Sequence, residues 1–191
     1  MTRFIFLEFI NPKIRAFLGD LRKSLNGLKK TTQVHITVRG PYTELPSLNY
    51  LEDLQEKLHG LGVYIGGVGT FRNAEGYVVY LKAQSPVFEE IWWKPDYPEQ
   101  TYSKNPHITM YETPSKRAAE EVARFLRQER IEIHTFGIAL RVRARKQPDL
   151  FDVEGDSSLE RLPEFLETLR VKPGILSRAK VLATSLSEHS N

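Results

Sequence analysis

The chain has 191 residues and a mass of 22.0 kDa, with 40% hydrophobic and 27% charged residues, which is enough to build the core of one globular domain. It has no cysteine, which excludes disulfide frameworks, cysteine zinc sites and thiol nucleophiles. No apolar run approaches the roughly 20 residues of a membrane span, so we expect a cytoplasmic protein without membrane association.

The net charge of +3 is unevenly distributed. Residues 1–145 hold 21 basic and 16 acidic side chains, whereas residues 146–191 hold 6 and 8. A positive excess suits an anionic ligand, although a solvated surface has a similar composition. Charge alone therefore does not decide between these interpretations.

Strands and helices are predicted to alternate along the first half of the chain. In chain order they are a strand at 3–9, a helix at 12–25, a strand at 33–39, a helix at 48–58, a hairpin of strands at 62–72 and 77–83, and a short helix at 86–92. Asn11-Pro12 and Ser85-Pro86 supply the residues that begin two of these helices.

The second half begins with a loop over 94–105 and continues with further elements. These are a strand at 106–112, a helix that begins at Thr113-Pro114, a strand at 131–143, a polar linker at 147–158, and helices at 159–169 and 175–186. The last two helices are expected to pack on the core or to contact a partner.

A short internal repeat is the most informative feature. Val34-His35-Ile36-Thr37-Val38 and Pro106-His107-Ile108-Thr109-Met110 carry the same His-Ile-Thr triplet in two predicted strands. Because successive strand side chains point to opposite faces, each triplet presents an imidazole and a hydroxyl on one face and places its isoleucine in the core.

The repeat resembles the His-x-Thr signature of the two-histidine phosphoesterase superfamily, which contains RNA 2′,3′-cyclic phosphodiesterases and the so-called 2′-5′ RNA ligases. Other stretches follow the order that this family uses: Gly40-Pro41 after the first triplet, Gly69-Thr70-Phe71 followed by residues 77–81, and Asn105-Pro106 before the second triplet. The resemblance covers roughly residues 3–145 and does not extend to the last forty-odd residues.

The resemblance implies an α+β fold with two similar lobes. Each lobe would be an antiparallel sheet with helices outside, and the two His-x-Thr strands would face each other across a central cleft. Residues 1–145 would form this domain, and residues 146–191 would add a linker and a C-terminal helical extension.

The chemistry of the two triplets fits phosphodiester cleavage. One imidazole can take a proton from the attacking group while the other protonates the leaving oxygen, and threonine hydroxyls can bind the non-bridging oxygens without a metal. We therefore expect His35 and His107 to be catalytic, with Thr37 and Thr109 holding the phosphate. A metal site and a pair of merely structural histidines are the alternatives.

Four further residues are candidates for substrate binding. Arg39 lies two residues beyond Thr37 and Tyr111 two residues beyond Thr109, so each would share a strand face with its triplet. Tyr102 and Lys104, on the loop before the second triplet, could grip a nucleotide.

Several aromatic and histidine residues have other expected roles. Phe6 and Phe71 could stack a base, but core packing is favoured for both. In the adjacent pair Trp92-Trp93, one ring is expected in the core and the other at the cleft. His134 lacks a threonine two residues on and is expected to be structural or exposed.

The sequence thus predicts a monomeric, metal-independent phosphodiesterase without a cofactor. Its substrate would be a 2′,3′-cyclic phosphate RNA end or a 2′-5′-linked or cyclic oligonucleotide. The alternative is an RNA- or nucleotide-binding module that uses the same cleft without turnover.

Overall fold

A computed structural model of the protein describes residues 3–27, 33–42, 47–92, 105–144 and 167–188. The strands in these residues are β1 (Arg3–Phe9), β2 (His35–Tyr42), β3 (Val63–Asn73), β4 (Gly76–Gln84), β5 (His107–Thr113), β6 (Glu132–Thr135), β7 (Ile138–Ala144) and β8 (Thr168–Arg170). The helices are α1 (Pro12–Leu25), α2 (Leu48–Leu61), α3 (Pro86–Trp92), α4 (Lys116–Glu129) and α5 (Ile175–Glu188). No helix in this part of the chain is long and apolar enough to span a membrane.

Local sequence signals account for the helix ends. The Asn11 side chain accepts hydrogen bonds from the first amides of α1, and Pro12 occupies the first helical position, as predicted. Ser115 accepts from the amide of Ala118 and caps α4 in the same way. Gly62 ends α2 with a φ of 68°, a conformation that glycine adopts without strain.

The strands form one antiparallel sheet, in the order β7-β1-β2-β5-β4-β3-β6-β8. The fold is therefore α+β, as the sequence predicts. The two separate sheets implied by the family resemblance are not found among the described strands, because β2 pairs with β5 and joins the two halves. That junction is narrow, since Thr37 and His107 are the one pair in register across it.

The predicted strand at 131–143 is two strands, and this correction determines the shape of the sheet. β6 pairs with β3, whereas β7 pairs with β1. In the strand order of the sheet, β6 and β7 are therefore six positions apart. A flat sheet would separate β6 from β7 by about 29 Å, but residues 136 and 137 alone connect them, and three Cα steps reach at most about 11 Å. The sheet therefore curves until β6, which lies next to the edge strand β8, comes close to the opposite edge strand β7 at this corner.

A carboxylate from the C-terminal part of the chain stabilises the corner. Glu167 accepts hydrogen bonds from the Thr135 hydroxyl at 2.5 Å, from the amides of Gly137 at 2.9 Å and Phe136 at 3.2 Å, and from the Asn11 side chain. It thus ties together the turn after β6 and the start of α1.

The core lies between the helices and one face of the sheet. Alternate residues of β1, β2, β4 and β5 pack in one buried cluster with residues of α1, α4 and α5. The strand residues of this cluster include Ile5, Leu7, Ile36, Val38, Leu81, Ile108 and Met110. The residues between them point to the opposite face, which is half-exposed and rich in polar and aromatic side chains.

Residues 167–188 belong to the same packed structure. β8 pairs with β6 at a sheet edge, and α5, predicted from its apolar spacing, packs on α1 and α4 and buries Ile175 and Ala179. Thr168 and Leu169, at the end of the predicted helix over 159–169, lie in β8 instead. Glu167 is described outside any helix, whereas residues 159–166 and the linker at 147–158 lie outside the described residues.

Candidate active site

The two His-x-Thr strands are neighbours in the sheet. Thr37 on β2 lies directly opposite His107 on β5, and because the two strands are antiparallel, His35 and Thr109 lie on the same side of this pair. All four side chains are half-buried on the face opposite the core, while the intervening Ile36 and Ile108 are fully buried. The predicted site residues therefore come together as a reciprocal arrangement of two histidines and two threonines.

This register sets the spacing of the imidazoles. Residues diagonal to each other across an antiparallel pair lie about 7–8 Å apart, against about 5 Å for direct partners. His35 and His107 stand on such a diagonal, so a space suited to a phosphate group remains between them. Thr37 lies beside His107 on the other strand.

Backbone carbonyls orient both imidazoles in the same way. His35 Nδ1 lies 3.1 Å from the carbonyl oxygen of Gln33, and His107 Nδ1 lies 2.6 Å from that of Asn105. A carbonyl oxygen only accepts hydrogen bonds, so Nδ1 is the donor in each ring. Nε2 is then the nitrogen that accepts or releases a proton in chemistry.

Aromatic rings pack against both imidazoles, those of Phe6 and Phe71 edge-on and that of Tyr80 tilted. The Phe6 ring lies 4.7 Å from that of His35, and the rings of Phe71 and Tyr80 lie 5.4 Å and 4.9 Å from that of His107. The expectation that Phe6 and Phe71 pack in the core is wrong, because strand alternation turns both toward the histidine face. Their rings restrict the orientation of the imidazoles.

The two histidines differ in their surroundings. Burial lowers the pKa of His107, and the hydrogen bond to the Asn105 carbonyl only partly opposes this effect. His107 is therefore neutral near pH 7, with an unprotonated Nε2 that can accept a proton.

Charged residues lie opposite both histidines on the outer neighbouring strands. Glu8 on β1 is the cross-strand partner of His35, and Lys82 on β4 is the partner of His107. Arg141 Nε on β7 lies 3.9 Å from a Glu8 carboxylate oxygen. Sequence reasoning missed Glu8 and Lys82: alternation places them on one face of a strand, but it does not say which strands are neighbours.

The remaining predicted residues are less closely defined. Tyr111 is half-buried and packs against the apolar core cluster. Arg39 belongs to β2 opposite Ile5, but a register irregularity between Thr37 and Arg39 breaks the simple alternation expected of them. The Arg39 side chain is not among those described, and Tyr102, Lys104 and Trp93 lie outside the described residues.

Within the described ranges, no group of three or more histidine or acidic residues is arranged to hold a metal ion. The absence of a metal from the reaction stays a prediction.

Comparison of the chain with protein families, with curated proteins and with solved structures found no match. The likeness to two-histidine phosphoesterases therefore rests on the chain's own triplets and the stretches around them.

Proposed function

We propose that the protein is a metal-independent phosphodiesterase that cleaves 2′,3′-cyclic phosphate RNA ends or 2′-5′-linked or cyclic oligonucleotides. The observation that carries the proposal is the pairing of Thr37 with His107 at the β2/β5 junction, which brings the two His-Ile-Thr triplets together on one face of the sheet. The two halves of the sheet on either side of this junction would correspond to the two lobes of the family.

The proposed hydrolysis uses one proton transfer at each imidazole. His107 Nε2 takes a proton from the attacking water, whose oxygen forms a bond to phosphorus. The bond from phosphorus to the leaving ribose oxygen breaks, and His35 Nε2–H gives that oxygen its proton. The threonine hydroxyls donate to the non-bridging oxygens, where negative charge concentrates.

The surroundings of the histidines support this division of roles. His107 is held neutral by burial, as a proton acceptor must be. His35 lies opposite the Glu8 carboxylate, and direct cross-strand partners have Cβ atoms about 4.5–5.5 Å apart. We propose that the Glu8 carboxylate, as the cross-strand partner of His35, stabilises the positive charge that the proton donor carries.

Phosphorus NMR of the purified full-length protein with cyclic-phosphate and 2′-5′-linked substrates, in the presence of millimolar chelator, tests the proposal. We expect a new phosphomonoester resonance from at least one substrate. Nucleotide binding without turnover would identify the non-catalytic module instead, and turnover that requires added metal would contradict the two-histidine mechanism.

A further inference from the structure

A cavity of about 710 Å³ opens on the same face of the sheet, beside His107. Tyr80, whose ring packs on His107, lines it, as do Lys82 and Asn105, which are the strand partner and the carbonyl partner of His107. The cavity therefore adjoins the candidate active site on the His107 side. Its volume lies within the range of about 300–1,000 Å³ typical of small-molecule sites.

The far wall of this His107-side cavity is aromatic. Tyr64 on β3 and His134 on β6 are cross-strand partners, and both line the cavity. The Tyr64 ring lies along its own strand over Gly66, where a methyl group would clash with it, and Phe136 packs edge-on against His134 with ring centroids 4.8 Å apart. Both flat side chains are thus held in place.

The charge of the lining distinguishes between possible occupants. Lys82 and Glu89 are the charged residues of opposite sign in the lining, so the cavity is close to neutral. A site for a second phosphate group would have several cationic side chains in its lining, whereas a site for a nucleobase would be a neutral cavity with aromatic walls.

The positions of the residues fit one nucleoside. Lys82 lies one strand away from His107, and Tyr64 and His134 lie two and three strands away, about 10–14 Å. A ribose and its base together cover such a span from a phosphate held between the two histidines. The ammonium of Lys82, the strand partner of His107, would lie on the phosphate side.

We infer that the His107-side cavity is a nucleoside subsite, in which the base of the nucleoside that keeps its bond to phosphorus stacks against Tyr64 and His134. The inference rests on the proposed function. It specifies which part of the proposed substrates the cavity binds, and it predicts poor turnover of simple cyclic phosphates that lack a base.

The experiment compares a nucleoside 2′,3′-cyclic phosphate with ribose 2′,3′-cyclic phosphate, which lacks the base, as substrates of the full chain. Base stacking predicts a kcat/KM at least about tenfold higher for the nucleotide. Tyr64→Leu should raise KM for the nucleotide about tenfold, leave kcat within about twofold and abolish the preference for the base. Lys82→Met provides a second variant and should also raise KM. Tyr77→Leu, on the neighbouring strand but outside the cavity, is the matched control.

Calorimetry of nucleoside 3′-monophosphate binding to wild type and to Tyr64→Leu tests the nucleoside subsite separately from the proposed phosphodiesterase activity. Equal kcat/KM for both substrates, together with no effect of Tyr64→Leu, would overturn the subsite and leave the phosphodiesterase intact. If no substrate is turned over but nucleotide binding depends on the base and on Tyr64, the proposed phosphodiesterase activity is wrong and the subsite stands. Absence of nucleotide binding would overturn the subsite in either case.

Discussion

Thr37 on β2 faces His107 on β5, and this pair alone is in register between the two strands. It joins the two halves of the sheet at the point where the two triplets meet. Because the site takes one histidine and one threonine from each strand, neither triplet forms it alone. The loss of any one of the four side chains should therefore affect the same reaction.

Replacement of either histidine tests the catalytic pair. His35→Ala and His107→Ala should each lower turnover of a confirmed phosphodiester about 100-fold or more, because each removes one proton transfer. Circular dichroism should show an unchanged fold. His59→Gln is the control, since His59 lies on α2 and contacts the Ile138 carbonyl. Near wild-type turnover of either alanine variant would exclude that histidine from the chemistry.

Replacement of the threonines by valine removes the hydroxyl and keeps the shape. Thr37→Val and Thr109→Val should each lower kcat about 10- to 100-fold, because a donor to the non-bridging oxygens is lost in the transition state. Thr70→Val, at an exposed position of β3, is the matched control. Steady-state kinetics measure kcat and KM separately. A change in KM with constant kcat would show that the hydroxyls contribute to ground-state binding alone.

The dependence of rate on pH should be bell-shaped, because the active form has His107 neutral and His35 protonated. Burial lowers the pKa of His107 from 6.5, so the rate should rise with pH in a range below 6.5. Glu8→Gln removes the negative charge opposite His35 and should move the alkaline limb to lower pH. Millimolar chelator should leave both limbs in place. An alkaline limb unmoved by Glu8→Gln would refute the role given to Glu8.

Gly69 is predicted to position a ring of the active site. A methyl group at Gly69 would overlap the Tyr80 ring, which packs on His107. Gly69→Ala should therefore displace Tyr80 and lower turnover about tenfold or more. It should also let water reach His107, so that the pKa of His107 rises toward its ordinary value and the acid limb of the rate profile moves to higher pH. Gly60→Ala is the control, because nothing lies within 4 Å of an added methyl group there.

Glu167 should make stability depend on pH. Burial raises the pKa of its carboxyl, but hydrogen bonds from the Thr135 and Asn11 side chains and from the Gly137 and Phe136 amides outweigh burial and hold it below 4.5. Since the folded-state pKa is the lower one, this stabilisation is complete above the unfolded-state value and is lost as pH falls through the folded-state pKa.

Urea unfolding of Glu167→Gln at pH 7 and pH 3 measures this effect. The variant should lose about 1 kcal/mol at pH 7, a modest value because solvent partly screens the carboxylate. It should also show a smaller difference between the two pH values than wild type. Glu75→Gln, in the exposed β3–β4 turn, is the control. An unchanged pH difference would show that the corner does not depend on the ionised carboxylate.

Local patterns in the sequence determined most elements and the four central residues. Period-two alternation placed His35 with Thr37 and His107 with Thr109 on strand faces, and the capping residue Asn11 marked the start of α1, whereas α4 begins after Ser115 and not at the predicted Thr113-Pro114. These features depend on neighbours within about four residues, so they can be deduced without knowing the fold.

Strand order and register were decided by tertiary structure alone. Pairing of β2 with β5 makes one sheet, and the turn at Phe136-Gly137 sends β6 and β7 to different neighbours. The same pairings place Glu8 beside His35 and Lys82 beside His107, and they turn Tyr64 and His134 toward one cavity. Such contacts join residues that are distant in the chain, and their energies depend on the choice of neighbouring strands. Local periodicity does not encode that choice.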